Sequence, residues 1–399
     1  MIHALLISQY FPPDINGSST RSYNLAKSLI TQNCKVTVIS TFPHYPEPKN
    51  LNEYKKKLLI IENMDGIKII RIRIPHLSHD SHYKRILLHL SFCLSSLLGI
   101  IYVKNIDVIF AMNPSFFVAS PALIYKILFQ KKIIRNVDDL WPEVFYDLGI
   151  IKSRVIKKIL DFLSKVSYNT STAIIPISEG YVKTLVEKYK IPTNKIHVIE
   201  HGVDVTKFNQ SDQSCIENKE KLIMYSGAIN IGYDFEPIIQ AAKLLESQQI
   251  RFVIRGTGDM VDKLEIMIKK YDVHNIMVNT TLLEKNKLIS LLKTVNIFLL
   301  PMSFGVIDFG LPTKVLEYQA LGKPIICISN GEAGNYIQKT RSGLVATNKD
   351  PKQISELILK LIKDENLANQ LGKNGYDHIH NNLTLERIGE KLVSLINTS

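Results

Sequence analysis

Lys314 and Glu317 stand three residues apart in FGVIDFGLPTKVLEYQALGKPIICI, residues 304–328. Gly305, Gly310 and Pro312 read as a loop, the apolar-periodic segment after them as a helix stopped at Gly322 and Pro324, and Ile325, Ile326 and Ile328 as a strand. A loop running into a helix N-terminus offers N–H groups to a phosphate, and Lys314 in the first turn adds positive charge. Glu317, one turn on, is placed to accept hydrogen bonds from vicinal hydroxyls such as those of a ribose. Phosphate and diol together suggest a nucleotide. The plainer reading of the pair is a surface ion pair at i, i+3. A second set follows a β-branched run: Asp138, Asp139, the only tryptophan (Trp141), Pro142 and Glu143. Two acids and an indole at a strand's carboxyl end can hold an acceptor hydroxyl and stack a sugar ring. The same residues also read as an N-capping Asp, a Pro in a first helical turn and a core tryptophan.

Both sets need scaffolds, and 399 residues are too many for one ordinary domain, so two are expected. Short β-type runs alternate with helical spacing along the whole chain. In the first half, strands are expected at 3–8, 35–40, 68–74, 108–111, 132–136, 173–177 and 196–199. A turn at Asn16, Gly17, Ser18 and Ser19 leads into a helix over 22–31. Residues 204–221 are polar and read as a linker. A second array follows, with strands at 222–226, 252–255, 276–279 and 297–300, loop glycines at Gly227, Gly232, Gly256 and Gly258, and closing helices near 351–364 and 383–396. The expected division is 1–204, a 205–221 linker, 222–380, and a C-terminal helix in 381–399 placed to pack back on the first domain. The fold class is α/β with two doubly wound, Rossmann-like domains facing across a cleft, whose ligands sit beyond the carboxyl ends of the strands. The first loop is not G-x-G-x-x-G, which disfavours a dehydrogenase.

Charge is distributed unevenly. Residues 1–200 hold 26 Lys+Arg against 15 Asp+Glu, the remainder 23 against 22. Basic residues are not interleaved with aromatics as a nucleic-acid surface requires, but Lys84 and Arg85 precede an apolar run at 86–103. That run is at the lower length limit for spanning a bilayer and reads equally as a buried helix of an α/β domain; the expectation is a helix lying in the interface of an anionic membrane. The N-terminal apolar stretch is too short for a signal peptide, and the four cysteines have neither metal-ligand nor redox spacing. The expected location is cytoplasmic, peripheral on the inner face of the plasma membrane.

Several segments taken together, QYFPPDINGSSTRSYNLAKSL, NVDDLWPE, ISEGYVKTLVEKYKIPTNKIHVIEHGVDVTKF, YSGAINIG, IRGTGD and LPTKVLEYQALGKPII, resemble the GT-B nucleotide-sugar glycosyltransferases of the retaining family 4. LPTKVLEY, DLWPE and the Tyr45-Pro46 pair are similar to the bacterial O-antigen and exopolysaccharide transferases for fucose and N-acetylfucosamine. The resemblance implies transfer of a 6-deoxy or N-acetylamino hexose, from a donor expected to be UDP-linked, to a polyprenyl-diphosphate-linked glycan. It assigns donor binding to Gly17, Ser18, Gly227, Asn230, Arg255, Gly256, Thr281, Gly310, Lys314 and Glu317. It assigns acceptor binding to Asp139 and Trp141, and catalytic roles to Asp138, Asp139 and Lys314. No cofactor beyond the donor is implied. With no D-x-D for a divalent ion, no metal is expected. The chain departs from the family where a first glutamate is usual: Phe309 stands there, with Asp308 beside it, and Asn230 and Gly232 replace a basic pair. Two other classes compete: a non-catalytic scaffold of a polysaccharide assembly complex, and a sugar-nucleotide epimerase in which His201 abstracts a proton.

Overall fold

The computed structural model describes residues 1–45, 54, 57–75, 77, 82–112, 115–209, 220–305 and 310–399. Asp308, Phe309, Pro46 and most of the expected linker lie outside them. The chain divides into two compact units, Met1–Gly202 with Leu385–Ser399, and Val203–Thr384.

The first unit is built on β1 (His3–Ile7), β2 (Lys35–Thr41), β3 (Leu59–Met64), β4 (Ile67–Ile72), β5 (Val108–Ala111), β6 (Lys132–Val137) and β7 (Ala173–Pro176). They form one sheet in the order β3-β4-β2-β1-β5-β6-β7, parallel except for β3, which pairs antiparallel with β4 at the edge. Every residue of β1, β5 and β7 is buried, as expected of β-branched strands covered by helices on both faces. The edge strand β3 only half-buries its residues, and that weak pattern is why it is not legible beforehand. Residues 196–199 form an extended edge rather than a strand. They make one bridge, Ile174 to Ile196, and two backbone bonds onto β7 from His197 and Ile199. The first helix runs Gly17–Thr31, so Gly17 and Ser18 lie in its opening turn rather than in a turn ahead of it. Asn16 caps it by accepting from the Ser19 N–H at 2.7 Å. The closing helix, Leu385–Thr398, packs on this one so closely that a Cβ on Gly389 would lie 2.2 Å from the Ser28 carbonyl oxygen.

The second unit holds β8 (Lys221–Ser226), β9 (Ile250–Arg255), β10 (Ile276–Asn279), β11 (Ile297–Pro301), β12 (Ile325–Ile328) and β13 (Gly343–Ala346), all parallel, in the order β10-β9-β8-β11-β12-β13. Ser226 is level with Arg255, and Arg255 with Asn279, across three adjacent strands. Their carboxyl ends therefore open at one place.

Candidate functional site

In the second unit the helix Thr313–Ala320 starts after Pro312 with no side-chain cap, so its first N–H groups are left for water or a ligand. Lys314, in its first turn, is buried to 8% exposure. Its Nζ donates to the Tyr225 hydroxyl at 2.6 Å and lies 4.3 Å from the centroid of the Tyr225 ring and 3.7 Å from that of Tyr233. Aromatic faces thus replace part of its lost hydration. Burial drives the amine's pKa well below the ordinary lysine value, while the negative charge of Glu317 works the other way. Glu317 itself is half-buried, so a surface i, i+3 pair does not describe these two residues. Tyr318, stacked on Phe298 at 3.8 Å, accepts from the Ser226 N–H and donates to the Ser226 carbonyl, which locks the end of β8 against the helix.

The glycines beside this lysine keep two loops in contact. Gly227 has φ +154° and Gly256 φ +145°, conformations open to glycine. A Cβ on Gly227 would stand 2.6 Å from Lys314 Nζ, and one on Gly256 only 1.7 Å from the Gly227 carbonyl oxygen. Gly256 is therefore required by the neighbouring loop. Asn230 is also committed locally, accepting from the Gly232 N–H at 3.0 Å. Arg255, at the end of β9, is buried; it donates to the Thr281 carbonyl at 2.6 Å, and its Nε has no hydrogen-bond partner among the described residues. Thr281 is exposed and Gly310 half-buried at the same strand-end region of the unit. Lys314, Glu317, Gly227, Gly256, Arg255 and Thr281 thus converge, and Gly17 and Ser18 belong to the other unit.

In the first unit Arg21 is the hub. Wholly buried, it donates to Asn136 Oδ1 at 2.8 and 3.2 Å and to the carbonyls of Glu200 and Ile199 at 2.7 and 3.0 Å, with Asp138 3.5 Å away. One cation ties the Gly17–Thr31 helix to the end of β6. Asp138 is spent in this network, also accepting from Asn136 Nδ2; its catalytic assignment gives way to a positioning one. Asp139 is open to solvent yet hemmed in by protein, and its carboxyl is pushed up to about 6, first by lost hydration and then by the Asp138 charge. Trp141 is half-buried, with Phe145 at 4.2 Å and His89 at 6.1 Å. His89 Nδ1 meets Gln9 Oε1 at 2.7 Å, and Tyr10 stacks on His44 at 5.1 Å. Asp14 accepts from the His44 and Tyr45 N–H groups at 2.8 and 2.9 Å, and burial nonetheless raises its carboxyl to about 6. The ends of β1, β2 and β6 therefore carry an aromatic wall with two acids whose carboxyls titrate at about 6, above the ordinary aspartate range. His201 is buried, and burial with the nearby Arg21 keeps it neutral; it is not presented to a substrate C–H bond.

Comparison with known proteins settles the class. Residues 15–207 match the model of Glycosyltransferase Family 4, and residues 206–378 that of Glycosyl transferases group 1. The two models together span residues 15–378, and the chain is a glycosyltransferase. An uncharacterized glycosyltransferase, MJ1607 of Methanocaldococcus jannaschii, is 22% identical over 98% of this chain and 97% of its own. The N,N'-diacetylbacillosaminyl-diphospho-undecaprenol alpha-1,3-N-acetylgalactosaminyltransferase of Campylobacter jejuni is 24% identical over 58% of this chain and 61% of its own. The solved structure of Anabaena Alr3699/HepE in complex with UDP and glucose covers 100% of both chains with a TM-score of 0.71 at 11% identity. The fold of this transferase is GT-B.

Several residues of the candidate site have no role assigned to them by motif reading. Tyr225, Tyr233 and Tyr318 enclose Lys314 and the end of β8, yet they read as core aromatics; only the position of Tyr225 directly before Ser226-Gly227 hints at more. Arg21 looks like one helix residue among many, and Tyr10, His44 and His89 are scattered through 80 residues of sequence. Among the described residues no group of three or more His, Cys, Asp or Glu is arranged to hold a metal ion.

Proposed function

We propose that this glycosyltransferase moves a hexosyl group, a 6-deoxy or N-acetylamino hexose, from a uridine diphosphate sugar to a lipid-diphosphate-linked glycan, retaining the anomeric configuration and without a metal ion. The reading rests chiefly on Lys314, a desolvated amine between two tyrosines at an uncapped helix N-terminus, with Glu317 one turn away. An anionic diphosphate at that helix end restores the charge environment the amine lacks, and Glu317 accepts the ribose hydroxyls. As the bond from the anomeric carbon to the diphosphate breaks, the negative charge on the leaving oxygen meets Lys314 and the free N–H groups. An acceptor hydroxyl bonds to the same carbon from the side the diphosphate leaves, and its proton passes to the departing phosphate oxygen. Asp139, beside the aromatic wall, orients that hydroxyl. UDP in the HepE structure and the undecaprenol-linked acceptor in the name of the Campylobacter relative support the substrate classes.

A thermal-shift panel of UDP, GDP, dTDP and CMP, with and without EDTA, tests this reading. Stabilisation by UDP that EDTA leaves unchanged and Glu317→Ala abolishes is expected. Equal stabilisation of the wild type and Glu317→Ala, or stabilisation that EDTA removes, overturns it.

A further inference from the structure

The helix Arg154–Thr170 of the first unit has its apolar stripe on the wrong side for a core. Tyr168 and Ser164 are its buried residues. Val155, Ile159, Phe162 and Val166, spaced i, i+4, i+7, i+11 along one face, are exposed, Phe162 at 64%. Its neighbours continue this surface. The helix Ser115–Phe129 is joined to it by the bond from Lys126 Nζ to the Thr170 carbonyl at 2.7 Å and exposes Ile127 at 67%. The helix His82–Ser96 is joined to Ser115–Phe129 through Cys93 Sγ to the Phe117 carbonyl and Tyr125 to the Ser96 carbonyl. It exposes Leu94 at 73%, and its short 3-10 continuation Leu97–Tyr102 exposes Ile101. The stretch Tyr83–Tyr102 is long and apolar enough to cross a bilayer, but Leu88, Phe92, Leu97 and Ile100 pack into the core of the unit, so the helix belongs to the domain and offers only its outer face.

An exposed apolar face on this scale marks an interaction site, and charge selects its partner. The three helices carry Lys84, Arg85, Lys126, Arg154, Lys157, Lys158 and Lys165 against Asp161 as their only acid, and Asp161 is already paired with Lys188 at 2.8 Å. A second copy of the chain would bring like charges together. A bilayer with anionic headgroups satisfies both parts at once, taking the apolar side chains at the acyl boundary and the lysines at the phosphates.

We infer that the faces of His82–Ser96, Ser115–Phe129 and Arg154–Thr170 form one docking surface for an anionic lipid bilayer, with Phe162 and Ile159 as inserted side chains. This goes beyond the run at 86–103, because two of the three helices lie outside it. The experiment is co-flotation of the full chain with vesicles of phosphatidylcholine alone or mixed with phosphatidylglycerol. Variants are Lys158→Glu/Lys165→Glu and Ile159→Asn/Phe162→Ser, all at exposed positions, with the UDP thermal shift run alongside to show that each variant is folded and that its donor site is separate. The wild type should float with the anionic vesicles and stay behind with the neutral ones, and each double variant should lose about tenfold or more in partition. Wild type left in solution with anionic vesicles, or variants that float like wild type, overturns the proposal. So does a dimer in sedimentation that either double variant dissociates, since a second copy then covers the face.

Discussion

The two candidate sites desolvate opposite charges. In Val203–Thr384 the stripped group is a cation, Lys314, while the acid beside it, Glu317, keeps partial access to water. At the strand ends of the unit that starts at Met1 the groups are carboxyls, the buried Asp14 and the hemmed-in but solvent-open Asp139, both pushed up to about 6. Of its buried cations, Arg21 is held by carbonyls and Asn136, and Arg71 by Glu62 at 2.6 Å and the Thr41 carbonyl, while Arg135, away from the strand ends, lies over the Tyr168 ring at 4.1 Å with no hydrogen-bond partner among the described residues. A cation held without full hydration gains when an anion arrives, and a carboxyl held without it gains when a hydroxyl does. On the proposed reading, the same doubly wound architecture, used twice in one chain, takes a nucleoside diphosphate in one copy and a neutral polyol in the other.

The largest expected effect breaks the cation side at its frame. Gly256→Ala drives a Cβ into the Gly227 carbonyl at 1.7 Å, and chemical denaturation should show a loss of about 4 kcal/mol or more with UDP binding gone; a near-native midpoint would show that the two loops separate freely. Next is Lys314→Met, which removes the cation and keeps the apolar stem. UDP affinity should fall by about 3 kcal/mol, more than a hundredfold, while the apo protein becomes no less stable, because the cost of burying an amine is gone. A drop in apo stability equal to the loss of affinity would make Lys314 a structural residue instead.

The third effect is in pH, and its sign differs between the units. Burial lowers the pKa of Lys314 in the free protein, and a bound diphosphate raises it again, so binding takes up a proton and UDP affinity should fall as pH rises. Asp139 keeps its proton up to about 6, so acceptor-dependent turnover at saturating donor should fall as pH drops through that value. Parallel pH profiles for the two quantities would erase the contrast. The smallest effect lies away from both sites. Gly389→Ala should cost about 1–3 kcal/mol in unfolding free energy through the Ser28 contact, with UDP affinity unchanged.

Much of the scaffold is legible before folding. The helix Thr313–Ala320 and strand β12 lie where Pro312, Gly322 and Pro324 bracket them, because glycine and proline act on the backbone locally. Strands β5 and β10 follow from apolar runs alone. The enclosure of Lys314 is not legible, since Tyr225 and Tyr233 reach it only through the β8 end and the loop after it. Nor is the fate of Asp138, which Arg21 approaches from a helix more than a hundred residues earlier. The helix Arg154–Thr170 misleads in a third way: its periodicity is that of a core-facing helix, and only the fold shows that the apolar stripe faces outward.

The division of labour between the units is tested most directly by calorimetric titration of UDP into the wild type, Lys314→Met and Asp139→Asn at one pH. The account predicts that Asp139→Asn binds UDP like the wild type while Lys314→Met binds more than about a hundredfold more weakly. Wild-type affinity in Lys314→Met, or a comparable loss in Asp139→Asn, would contradict it.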